Sequence, residues 1–406
     1  MKKYAWLIYI ISCFFIGFLF TYLVYIGLWT RLMDGFRSIP IWLYILWLPV
    51  VFYVTLTMHE LGHLIAFRIQ GVKIRALYLT IFVFYKNDKG WHFTIKPKLW
   101  VLFGGMVIPD LPQIKSDEDM DHITHVFARS LIAAPYVTIS VMILSVMSFL
   151  LVWIFGSGSF CFGLLTIFMM YTVLLSSLYI YTFKLNTKHL YGDFVAYKKI
   201  KEDPLFRFAE IYQYQSFSLD VDDNVTYLYE HAKRLIESQD KLKHHLFMIM
   251  TLMAYLEGVM HHELSPSTII DEKLSTLPVR SLASTEEGLT LLYMLAEYHY
   301  HQQRVDIAYA FVEKAQKHAG KKLPELLKNY LYKRTEHVLH IAYHDAFLSL
   351  DENLYIGQAW LFEAIEDPYD ILRKTHEQLP FQVYVCDIPV DNISGYDIKK
   401  DVNDDI

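Results

Sequence analysis

Four stretches of the chain, residues 5–28, 41–67, 131–155 and 160–183, approach or exceed the ~20 apolar residues that an α-helix needs to cross ~30 Å of hydrocarbon. Each predicts a membrane-spanning helix. Beyond residue 203 the pattern changes. No apolar run of that length recurs, and segments 225–237, 241–260, 287–301, 305–318 and 322–346 carry apolar residues at helical spacing with polar residues between them. Between the second and third spans, "GVKIRALYLTIFVFY" and "GWHFTIKP" are rich in β-branched and aromatic residues on either side of "KNDKG", the pattern of a hairpin. The expected fold is an α-helical polytopic membrane protein of about four transmembrane helices with a small membrane-associated β-hairpin, residues 1–203. An all-α cytoplasmic domain, residues 204–406, follows, with the boundary near "KEDPLF".

Composition sharpens this picture. A hydrophobic fraction of 54% with 20% charged residues is too apolar for an ordinary soluble protein of 406 residues. The first half carries a net charge of +7 and the second −13. Basic residues cluster before the first span, between Arg68 and Arg129, and from Lys184 to Lys201, whereas the connections after spans one and three are poor in them. By the positive-inside rule both termini are cytoplasmic. The first span follows "MKK", but "LWTRLMDGFRS" offers no small-x-small cleavage site, so it reads as an uncleaved anchor. Cys13, Cys161 and Cys386 are too scattered for a disulfide framework or a thiolate metal site, and are expected to be reduced.

Candidate chemistry lies inside the second span, in "TMHELGHLIAF", residues 57–67. Residues four apart on a helix share a face, so His59 and His63 project together and can grip one divalent ion, the usual one in this pattern being Zn2+. Glu60 falls one position round, beside the ion. There a carboxylate can take a proton from a water that the metal has acidified. Three ionisable groups within five residues at membrane depth are costly to keep without a ligand. A structural polar cluster is the competing reading.

A third ligand must come from elsewhere. From His122 through Gly192 the chain has no Asp or Glu, and then "HLYGDFVAY" supplies Asp193 just past the fourth span. The orientation rule puts Asp193 on the same side as His63. His189 is a rival ligand, and Asp193 also reads as a solvated turn residue. "DHITH", with His122 and His125 among four acids, reads as a solvated loop.

A membrane helix carrying HELGH, a strand-rich polar stretch, a further span and an aspartate after the next resembles the site-2 protease family of intramembrane zinc metalloproteases, over residues 41 to about 200. "VLFGGMV" is similar to the glycine-containing stretch beside that family's membrane-associated strands, and "LIAAPYVTI" to its Ala-Gly-Pro stretch. Asn186 stands near the position of its Asn-Pro loop. Departures are "GDF" in place of Leu-Asp-Gly, a missing proline after Asn186, Ala134 for glycine, and Thr138 where asparagine is common. The resemblance implies Zn2+ held by His59, His63 and Asp193, with Glu60 as general base and then proton donor. It implies cleavage of a membrane-spanning or membrane-inserted protein or peptide. A transmembrane helix must be unwound before cleavage, and an edge strand offers replacement hydrogen bonds. That edge is expected from residues 72–84 or 91–96, with Gly104 and Gly105 allowing close backbone approach.

In the second half, residues 289–322 read as one degenerate tetratricopeptide hairpin, with Leu292, Leu295, Ala296, Ala308, Val312 and Ala315 at its apolar and small positions. Residues 380–395 could add a strand, and "DVNDDI" reads as a solvated tail. Expected partners are the lipid bilayer, a membrane substrate and a protein bound by the helical domain, with no nucleic acid. Two other classes fit parts of the sequence: a catalytically silent scaffold of the same fold, and a metal-responsive sensor or transporter.

Overall fold

The computed structural model describes residues 5–341 apart from 88, 103, 156–158, 188–190, 220–225 and 244. Cys386, the strand expected at 380–395, the acidic tail and His189 lie outside the described residues. Helix α1 (Ala5–Tyr25) meets α2 (Leu28–Arg37) at a bend of 75°, where Gly27 adopts φ 75°. Three further helices follow within the apolar half: α3 (Ile41–Ile69), which runs through Pro49, α4 (Asp117–Phe155) and α5 (Ser159–Thr182). These three are long and apolar enough to cross a membrane, and α1 with α2 makes a fourth if the bent pair is one span.

The third expected span is only the C-terminal part of α4, which begins at Asp117. "DHITH" is therefore helical and not a loop. Asp117, Glu118 and Asp119 occupy its first turn, where the helix dipole favours carboxylates. Ile123, Val126 and Phe127 give it a buried face, while His122 and His125 stay exposed.

Between α3 and α4 lies an antiparallel sheet of four strands, larger than the hairpin expected: β1 (Lys73–Leu79), β2 (Phe82–Asn87), β3 (Gly90–Ile95) and β4 (Gly105–Asp110), in the order β3-β2-β1-β4. The hairpin around Asn87–Gly90 is there as β2 and β3. Residues 72–84, expected at an edge, are interior, because β4 pairs with β1 on the far side and leaves β3 and β4 as the two edges. "VLFGGMV" carried too little β-branched content to announce a strand. Tyr53 on α3 reaches the β1–β2 turn, its hydroxyl 2.8 Å from Thr80 Oγ1.

Nine shorter helices make up the described remainder: α6 (Asp193–Glu202), α7 (Pro204–Gln215), α8 (Tyr227–Glu237), α9 (Leu246–His261), α10 (Thr268–Leu274), α11 (Val279–Leu282), α12 (Glu286–His301), α13 (Val305–His318) and α14 (Glu325–Val338). Asp203 starts α7 by accepting from Leu205 N and Phe206 N, with Pro204 at the first helical position. Helices α12 and α13 form the expected hairpin, and all six of its named apolar and small positions are buried. One buried cluster runs from Phe67 on α3 through Val107, Phe127 and Phe206 to Leu339, so the α7–α14 helices and the sheet side of α3 and α4 share a core.

Candidate metal centre

Helix α3 carries His59, Glu60 and His63, of which the first two are buried, with 6% and 4% of their surface exposed. The glycine within HELGH has a packing role. A Cβ on Gly62 would fall 2.6 Å from Ala134 Cα, so only glycine lets α3 cross α4 this closely. That crossing brings two acceptors to the histidines. Thr138 Oγ1 lies 2.9 Å from His59 Nδ1, and the Ser130 carbonyl lies 3.0 Å from His63 Nδ1.

These contacts fix both tautomers. A carbonyl only accepts, so His63 Nδ1 carries the proton. The Thr138 hydroxyl donates to the Ala134 carbonyl at 3.2 Å, so it accepts from His59 Nδ1–H. In the neutral imidazoles both Nε2 atoms are then the acceptors, the form in which they can ligate a cation. Tyr179 and Phe183 stack with the His59 ring at centroid distances of 5.8 and 5.1 Å, holding its plane.

Asp193 arrives from the other side as the first residue of α6. After α5 the chain folds back on itself: Gly192 N donates to Leu185 O at 2.9 Å, and Phe194 N to Phe183 O at 3.1 Å. A side chain on Gly192 would collide with the backbone of Thr182 and Phe183. The glycine before the aspartate, in "GDF", therefore allows the turn that delivers the carboxylate. Asp193 Oδ2 lies 3.3 Å from His59 Nε2 and 3.8 Å from His63 Nε2.

These three residues offer ligand atoms within 4.8 Å of one another. The donor set fits a zinc ion, whose bonds of about 2.0–2.1 Å place neighbouring tetrahedral ligands about 3.3 Å apart. Two imidazole nitrogens and a carboxylate oxygen converge, and Asp193 Oδ2 is buried without a hydrogen-bond partner. Lone pairs so arranged repel each other unless a cation lies among them. Glu60 Oε2, also buried and without a partner, stands beside them.

The centre opens into a cavity of about 430 Å3, lined on one side by Gly104, Gly105 and Val107 and on another by Tyr191, Phe206, Glu210 and Tyr214. Gly105 lies against Glu60, since a Cβ there would fall 2.5 Å from Glu60 Cγ. Thr80 N donates to Gly104 O at 3.0 Å, and Tyr78 is opposite Met106. By the alternation of an antiparallel ladder, the main-chain groups of Gly105 and Val107 face the free edge of β4.

The fold thus gathers His59, Glu60, His63, Asp193, Gly104 and Gly105 around one cavity. Asn186 is exposed, forms a β-bridge with Tyr191, and is not among the residues lining the cavity. The α7 wall escaped the sequence reading. Its signal was Phe206, Glu210 and Tyr214 at a spacing of four, with Glu210 between the apolar Ala209 and Ile211.

No curated protein and no solved structure matches the chain. The family model for peptidase family M50, the site-2 protease family, matches residues 47–391, a range that holds every residue of the centre. The chain belongs to peptidase family M50.

Proposed function

We propose that the protein is an intramembrane zinc endopeptidase that cleaves a membrane-spanning or membrane-inserted protein or peptide. One observation carries this reading: the Nε2 atoms of His59 and His63 and Oδ2 of Asp193 converge beside the buried, unpartnered Oε2 of Glu60. His59, His63 and Asp193 hold the ion. Bound zinc lowers the pKa of water to near neutrality and polarises a peptide carbonyl. Glu60 does the proton work. Its Oε2 takes the proton of the attacking water and then gives it to the amide nitrogen as the C–N bond breaks.

The free edge of β4 suits the presentation of substrate. An unwound segment laid along Gly105 and Val107 recovers main-chain hydrogen bonds lost from its own helix, and Gly105 lets its backbone approach Glu60. Residues Trp91, Phe93 and Ile95 alternate along the other edge strand with more than half their surface exposed, which suits immersion of β3 in lipid headgroups. In this reading α1 with α2 counts as one of four spans, both termini are cytoplasmic, and the α7–α14 helices form a cytoplasmic domain offered to a protein partner.

The test pairs composition with activity. Purified wild-type protein is expected to hold one zinc per chain by elemental analysis, and to cleave a co-expressed single-span reporter. Glu60→Gln is expected to keep the zinc and abolish cleavage. Zinc-free protein, or reporter cleavage unchanged in Glu60→Gln, would overturn the reading, and the second result would favour a silent scaffold.

A further inference from the structure

Helix α7 begins after the last apolar span, yet it supplies one wall of the cavity in front of the metal centre. Phe206, Glu210 and Tyr214 lie four residues apart on α7, so they share one face, and all three line the cavity. Glu210 is the one carboxylate among the lining residues that neither the ion nor the proton transfer uses. It makes no hydrogen bond or ion pair among the described residues. Apart from the metal centre and Ser130, the side chains that line the cavity with it are aromatic and aliphatic, among them Tyr191 and, on α6, Ala196 and Ile200.

A carboxylate among aromatic and aliphatic walls is a receptor for a cation on a long apolar stem. The walls take the methylenes and the ring faces, and the acid takes the charge. We propose that Glu210, with Phe206, Tyr191 and Tyr214, forms a subsite for a lysine or arginine side chain of the substrate. The proposal rests on the protease reading and adds a specificity to it. Transmembrane segments carry their Lys and Arg at the cytoplasmic flank, the side on which α7 lies in that reading. A basic residue following the membrane-buried stretch of a substrate would then meet Glu210 as the stretch unwinds along β4. Burial pushes the Glu210 carboxyl up to about 7. This is the behaviour of a desolvated acid with no cation beside it, and an incoming cation would relieve it.

Binding tests this without turnover. Fluorescent single-span peptides of about 25 residues, long enough to cross a bilayer, carry lysine or glutamine scanned through one flank. They are titrated against zinc-loaded full-length Glu60→Gln protein in phosphatidylcholine nanodiscs, with Kd read by anisotropy. The assay runs near pH 8, about one unit above the shifted carboxyl. At one or two adjacent flank positions the lysine peptide is expected to bind about tenfold tighter than its glutamine twin, as one charged hydrogen-bonded contact provides. Adding Glu210→Gln is expected to bring that ratio to about one, and Glu210→Lys to shift preference to a glutamate peptide. No lysine preference at any position, no binding of the lysine peptide, or a preference that survives both substitutions would overturn the subsite. Cleavage by the wild-type protein separates this from the parent reading. A binding preference without cleavage would sink the protease and leave the subsite, and cleavage without preference would do the reverse.

Discussion

Replacing Gly105 with alanine puts the smallest possible side chain at the point where β4 meets Glu60. The new Cβ would lie 2.5 Å from Glu60 Cγ and 2.7 Å from both Cδ and Oε1. Carbon atoms settle at about 3.5–4.0 Å, so either the glutamate or the strand must give way by about 1 Å. The backbone at this position needs no positive φ, so alanine adds no torsional strain. The overpacking should cost about 1–3 kcal/mol of stability, whereas a reacting group displaced by about 1 Å loses roughly a hundredfold in rate. The three atoms nearest the new methyl group all belong to Glu60 and none to His59, His63 or Asp193, so zinc content should hold. Reporter cleavage, zinc per chain and the thermal midpoint, measured on the same preparation of Gly105→Ala, check all three parts. Full cleavage activity with zinc retained would refute the argument that Gly105 sets the position of the carboxylate that moves the proton.

Other outcomes follow from the same contacts. Thr138→Val keeps the shape but removes the acceptor for His59 Nδ1–H, and zinc affinity measured by chelator competition should fall about 10–100-fold. Helix α14 supplies Arg334, whose Nη1 lies 2.6 Å from the fully buried Glu297 on α12. Arg334→Met strands that carboxylate and should cost about 3–5 kcal/mol in unfolding experiments, with most of it recovered by adding Glu297→Leu. Glu210 gives a pH signature. Its carboxyl rises from 4.5 to about 7 on folding, so its contribution to stability is fully present below 4.5 and is lost as pH rises through about 7. The Glu210→Gln protein should therefore gain in melting temperature relative to wild type between about pH 5 and pH 8, and a constant difference across that range would refute the assignment.

Much of the membrane half was legible because lipid imposes a simple code. Uninterrupted apolar length marked α3 and α5, and HELGH within α3 named three groups whose spacing alone puts the histidines on one face. The acid-free stretch before Asp193 made that residue conspicuous. What the sequence hid was contact across distance. Thr138 looked like a departure from the family pattern, but its hydroxyl accepts the His59 proton. Gly192 lay in an altered motif, and its role is a turn packed against α5. The start of α4 was misread because a cluster of acids reads equally as a loop or as the first turn of a helix, and its buried face depends on partners far along the chain. Edge and interior strands cannot be told apart without knowing that β4 exists, and β4 is a short segment with few β-type residues.

A centre whose chamber wall sits on α7 is incomplete until α7 is in place. That helix is held by the same buried mass as α8, α9 and α12, residues translated well after the histidines and Asp193. During synthesis the nascent chain thus holds its candidate metal ligands before it holds a finished chamber. On the protease reading, competence to cut would arrive only when the late helices have folded, so the order of synthesis itself would delay it.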